Sequence, residues 1–208
     1  MPRPVTLFTG QWADLDFETI CRKAKSFGYD GIEIASWGDH LDLEKAATDS
    51  KYVEEKKKIL RDNGLGWWAI GTHVIGQAVA DAYDPRIAAF VPAQFHGDGD
   101  KIRAWAIEQM KYAPKAAKAM GVDVITGFTG SPIWKWFYSF PPTSPEQVES
   151  GYKEILDLWS PIFDEFDKEG VKFGLEVHPG EIAYDYYSTE KLFEVFDHRE
   201  TLGLNFDP

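Results

Sequence analysis

The chain has 208 residues, enough for one substantial core, and its 44% hydrophobic share is that of a globular protein rather than a disordered one. A formal net charge of −12 argues against partners that offer a phosphate backbone, which call for a basic surface. With Cys21 as its one cysteine, the chain can form neither an intrachain disulfide nor a thiolate zinc cluster.

The elements follow in order. The start, Met1-Pro2-Arg3-Pro4, leads straight into a strand at Val5–Phe8 and lacks the apolar region of a secretory signal. No apolar run approaches the roughly 20 residues that span a bilayer, so a cytoplasmic protein with no membrane partner is expected. Leu15 to Phe27 carries apolar residues at helical spacing, with Gly28 placed to end the helix; Cys21 falls on that apolar stripe and reads as a buried structural thiol. A second strand covers Gly31–Ala35. A helical stretch from Leu41 to Asn63, broken near Asp49-Ser50, precedes a third strand at Leu65–Gly71.

Thr72 to Gly99 reads as a long insertion, and connections of that length in a compact domain are usually functional or mobile. A helix from Lys101 to Met120 leads to a fourth strand at Val122–Thr126. The loop after it is crowded with Phe128, Trp134, Trp136, Phe137, Tyr138 and Phe140. Ser144-Pro145-Glu146 has the N-cap and first-turn chemistry of a helix start. The last elements are a fifth strand ending near Glu176, a helix over Thr189–Phe196 and a sixth strand ending near Asp207.

Helix, glycine and strand recur at Gly28, Gly64, Gly121 and Gly170, which means repeated βα units around a parallel sheet. An open doubly wound sheet and a (β/α)₈ barrel both satisfy this. No glycine-rich phosphate loop follows the first strand, and the chemistry is spread over several strand ends, which favours the barrel. Six strands and five helices amount to about three quarters of a closed one. Residues 1–208 are therefore expected to be a single incomplete TIM-barrel domain, in a polypeptide longer by roughly two βα units. Its two unpaired edges would favour a homo-oligomer or a partner subunit.

Chemistry concentrates at the carboxyl ends of the strands, where such barrels build their sites. Glu176 and His178 are two apart on a strand and share a face. The Glu176 carboxylate rises from Phe173-Gly174-Leu175, and a charge in such surroundings needs a cation or strong hydrogen bonds. A structural ion pair is the alternative, but Asp207 repeats the arrangement on the neighbouring strand, although Asp-Pro is also common in turns. Two carboxylates suit magnesium or manganese, and an added histidine opens the site to zinc, cobalt or iron. Glu33 and His73 fall at the same edge: Glu33 either binds a substrate hydroxyl or orients a histidine, and His73 either lines the pocket or caps a carbonyl. Trp134 and Trp136, with Lys135, form either a lid against the flat face of a sugar or an oligomer contact. His40, His96 and His198 read as solvated.

The segments Phe27-Gly28-Tyr29-Asp30-Gly31-Ile32-Glu33, Gly174-Leu175-Glu176-Val177-His178-Pro179 and Gly203-Leu204-Asn205-Phe206-Asp207-Pro208 resemble the xylose isomerase-like TIM barrels, a family that includes sugar phosphate isomerases and epimerases and apurinic endonucleases. In that family a divalent ion is held by Glu, Asp, His and Glu at the ends of strands 5 to 8. The resemblance carries the first two onto Glu176 and Asp207; the other two, and the Ser-His that usually follows Asp-Pro, have no counterpart here. It implies a metal-dependent sugar or sugar phosphate isomerase or epimerase. Such an enzyme moves a proton next to a carbonyl through an enediolate, with Glu176, or the strand 8 glutamate that has no counterpart here, as acid or base. The acidic charge disfavours the nucleic-acid members. Two alternatives stand beside this reading: a lyase-type subunit that deglycosylates an oxidised C-glycoside, and a shortened, non-catalytic barrel that binds a sugar or another subunit.

Overall fold

The computed structural model describes residues 3–136 and 139–207; Phe137 and Tyr138 of the aromatic loop, Met1, Pro2 and Pro208 lie outside the described residues. Six strands form one sheet: β1 (Thr6–Phe8), β2 (Gly31–Ala35), β3 (Gly66–Gly71), β4 (Val124–Gly127), β5 (Lys172–Glu176) and β6 (Leu202–Asn205). They pair in chain order, each parallel to the next. A doubly wound sheet reverses its order partway. Here the order runs from β1 to β6 without reversal, so the fold is a TIM-barrel-like α/β architecture.

The described residues contain seven α-helices rather than five: α1 (Phe17–Ser26), α2 (Leu43–Thr48), α3 (Ser50–Asp62), α4 (His73–Ala80), α5 (Gly99–Met120), α6 (Pro145–Glu169) and α7 (Tyr186–Val195). Asp49 divides α2 from α3: its backbone is extended, and its side chain accepts from the N–H of Lys51 and of Tyr52. The other addition, α4, lies in the stretch read as an insertion. Six of its eight residues are buried, and the hydroxyl of its N-cap residue, Thr72, donates to the Thr126 carbonyl at 3.0 Å rather than capping the helix, so neither amphipathic spacing nor a cap betrays it. Ser144 opens α6, as expected, in a capping box with Gln147, and Asp16, Asp98 and Asp185 open α1, α5 and α7.

Alternation along the strands divides the sheet into two faces. Leu7, Ile32, Ile34, Ile70, Ile125, Phe173 and Leu175 are buried in the main core. Phe173 meets Trp159, Phe163 and Phe166 of α6 at ring-centroid distances of 5.1, 5.7 and 5.8 Å, a continuous aromatic cluster. The opposite face carries Phe8, Glu33, Thr126, Glu176 and Asn205 toward the carboxyl ends. Trp68, which lies over Gly31 and Gly66, and Val124 remain exposed on it. At the β6 edge, Leu204 and Phe206 are 51% and 81% exposed. Among the described residues, no helix is long and apolar enough to cross a membrane.

Candidate functional site

The carboxyl ends of β1 to β6 bring together side chains that are far apart in the chain. His73 opens α4 directly after β3, and its Nε2 donates to Glu176 Oε2 at 3.1 Å. The same oxygen accepts from Asn205 Nδ2 at 3.2 Å, across the β5–β6 pair where Glu176 stands opposite Asn205. The hydrogen bond from His73 holds the Glu176 carboxyl below its ordinary range, against the opposing effect of partial burial.

Glu33, from β2, is buried deeper. Burial raises its pKa, and the hydroxyl of Thr126 on β4, which donates to Glu33 Oε1, only partly offsets that effect. Glu33, His73 and Glu176 are near enough for their charges to act on one another. The His73 ring sits between Phe8 and Phe128, with centroids at 5.0 and 4.8 Å, and its Nδ1 is buried with no partner among the described residues. Aromatic walls and a tethered carboxylate thus fix the imidazole from three sides.

The other expected residues are arranged less tightly. His178 lies beyond the end of β5 and is exposed; its Nδ1 bonds the carbonyl of Pro179 at 2.6 Å, and its ring is 5.1 Å from that of Phe128. Asp207 follows β6 by two residues and is exposed. Trp134 lies over Gly180, in the loop that begins with His178, and 6.4 Å from the ring of Tyr184. Trp136 instead packs against the core, with Lys135 Nζ 5.2 Å from its ring centre.

One expectation is overturned. His40 is fully buried, bonded to Thr9 Oγ1 at 3.0 Å and to the Leu15 carbonyl at 3.2 Å, and burial lowers its pKa. A polar sequence neighbourhood concealed a histidine that ties the first two βα loops together.

Sequence reasoning passed over Phe8, Thr126, Phe128 and Asn205. Phe8, Thr126 and Asn205 fall at strand ends on the site face, so strand parity was the available signal; Phe128 stands just beyond β4. Among the described residues, no three His, Cys, Asp or Glu side chains converge well enough to hold a metal ion. Glu176 ends β5, and Asp207 lies two residues beyond β6, the adjacent strand.

Several solved structures share this architecture. The 3-keto-D-glucoside 4-epimerase YcjR from E. coli, in its apo form, superposes with a TM-score of 0.66 at 14% identity, over 98% of this chain and 67% of that one. A probable 3-DHS dehydratase, AsbF, from Bacillus anthracis gives 0.61 at 19% identity, over 98% and 62%. A xylose isomerase-like TIM barrel protein from Mycobacterium smegmatis in complex with magnesium gives 0.61 at 15%, over 98% and 64%. At these identities the likeness is one of fold, and the chain spans about two thirds or less of each similar structure. No curated protein matches the chain in sequence. The family model for the xylose isomerase-like TIM barrel matches residues 21–208, nearly the whole chain, and the protein belongs to that family.

Proposed function

We propose that the protein is a sugar isomerase or epimerase that moves a proton at the carbon next to a keto-sugar carbonyl. The observation that carries this reading is a pair of carboxyl groups, Glu176 and Glu33, whose surroundings push their proton affinities in opposite directions within one site. Such a division is how enzymes assign base and acid roles. Glu176, kept ionised by His73, takes the proton from carbon. The electron pair of the broken C–H bond becomes the C=C bond of an enediolate, and the negative charge collects on the former carbonyl oxygen. Glu33, which holds its proton more tightly, donates to that oxygen. Return of the proton to the other face, or to the neighbouring carbon, gives the epimer or the isomer.

Glu176 and Asp207 would hold a divalent ion, and their oxygen donors suit a hard cation such as magnesium. When bound, the ion supplies polarisation of the carbonyl and its neighbouring hydroxyl. The described residues meet this requirement in part, with two carboxylates rather than a full ligand set. His73 and Asn205 orient the Glu176 carboxylate, and Phe8 and Phe128 shield His73 from water. The names of similar structures agree with the substrate class: one is a 3-keto-D-glucoside 4-epimerase, another a D-psicose 3-epimerase in the presence of D-fructose.

The test is solvent exchange. The protein with magnesium, manganese, zinc or cobalt is incubated in D2O with D-fructose or a 3-keto-glucoside, and deuterium at the carbon next to the carbonyl is followed by NMR. Exchange is expected, falling about 10²-fold or more in Glu176→Gln. No exchange from wild type with any ion, or exchange undiminished in Glu176→Gln, rejects the proposal. Loss of the glycosidic group without epimerised product would assign the same proton abstraction to an elimination instead.

A further inference from the structure

Immediately after β4, three successive backbone N–H groups point at two acidic side chains that the proposed reaction does not use. Glu181 Oε2 accepts from Gly130 at 2.7 Å and from Thr129 at 3.2 Å, and Asp81 Oδ1 accepts from Ser131 at 2.7 Å. Gln77 joins the acids: its Nε2 donates to Asp81 Oδ2 at 2.8 Å, and its side chain also bonds Glu181. Glu181 is 1% exposed. From the other side, the indole of Trp159 donates to the Thr129 carbonyl at 3.0 Å. The segment held this way begins at Phe128, whose ring packs on both His73 and His178.

We propose that Glu181 and Asp81 are positioning residues, a carboxyl pair bridged by Gln77 that latches residues 128–131 over the site and releases them when Glu181 gives up its proton. The charges around the pair favour this behaviour. From α5, Arg103 reaches the Asp81 carbonyl at 3.3 Å and is itself paired with Glu154 of α6 at 3.3 Å. Asp84, just past α4, adds negative charge on Asp81. From α6, the Tyr152 hydroxyl donates to the carbonyls of Ser188 and Ile182, and burial holds it in its neutral form. From the loop of Glu181 itself, His178 offers its backbone carbonyl to the Glu181 N–H at 3.1 Å, and Asp185 is occupied as the cap of α7.

Burial, and next the charge on Asp81, push the Glu181 carboxyl up to about 8, and the two backbone N–H groups offset only part of this. A proton held more tightly in the latched form than in a solvated one favours the latched form while it is bound. Its loss favours release, so the latch opens as pH rises. The inference needs neither the metal nor the reaction, and its test succeeds or fails separately from theirs.

The built-in reporter is the Trp159 indole N–H, followed by NMR in the whole protein from pH 6 to 9.5 and assigned with Trp159→Phe. In wild type its resonance is expected to titrate with a midpoint near 8. Glu181→Gln, which keeps an acceptor but cannot ionise, should leave the resonance fixed across the range. Asp81→Asn should move the midpoint to lower pH by removing the facing charge. A resonance that does not titrate in wild type, or that titrates unchanged in Glu181→Gln, overturns the proposal. A merely structural Glu181 would lower stability in the Gln variant without altering the pH profile.

Discussion

Gly76 stands in α4, three residues after His73, where a methyl group would lie 2.0 Å from the backbone carbonyl oxygen of Phe128. Ordinary contact begins at 3.4 Å, so Gly76→Ala must separate α4 from the β4 loop by about 1.4 Å, and neither backbone can rotate away. The loop is pinned by Glu181 and Asp81, so the strain has no easy outlet. Overpacking of this kind costs about 1–3 kcal/mol. For a protein of 208 residues each kcal/mol lowers Tm by about 2–4 °C, a drop of about 2–12 °C in thermal unfolding followed by circular dichroism. The sign is diagnostic, because a glycine-to-alanine change inside a helix normally stabilises by about 1 kcal/mol. His73 moves with α4, and its 3.1 Å bond to Glu176 has little slack, so exchange activity should fall together with Tm. Gly174→Ala is the control: it lies on the same strand as Glu176, and its added methyl would meet nothing closer than 3.5 Å. A Gly76→Ala protein as stable as wild type would refute the close-approach argument.

Cys21 lies fully buried in α1, and burial pushes its thiol up to about 12, so the native protein should not react with Ellman's reagent until it unfolds. Stoichiometric labelling within minutes under native conditions would contradict that burial. Leu204 on β6 and Phe206 just past it are exposed apolar side chains, a pair that favours apolar association. Replacing both by lysine should change stability by no more than about 0.5 kcal/mol per site while reducing concentration-dependent association in sedimentation velocity. Identical sedimentation of the variant and wild type across concentrations would remove these two side chains from consideration.

Much of the architecture was legible before any coordinates. The glycines that close α1, α3, α5 and α6 mark where each helix hands over to a strand, and the cap at Ser144 fixes the start of α6 through local hydrogen bonds. These signals depend on neighbours within a few residues, which is why they survive in the sequence. The failures share one cause. Helix α4 and the buried His40 are stabilised by surroundings on every side, so neither shows the one-sided polarity that sequence patterns report.

The residues alone gave away the order of βα units, the strands that carry Glu33 and Glu176, the position of Asp207 just past the sixth strand, and the family resemblance of those segments. Folding was needed to show that His73, from the start of α4, and Asn205, two residues before Asp207, share one oxygen of Glu176. It also set the proton affinities of Glu33 and Glu176 in opposite directions, and divided three successive backbone N–H groups between Glu181, which takes two, and Asp81, which takes one. The reason is physical: a hydrogen bond between residues 103 positions apart, and the burial that shifts a carboxyl, exist only once the sheet has brought its strand ends to one edge.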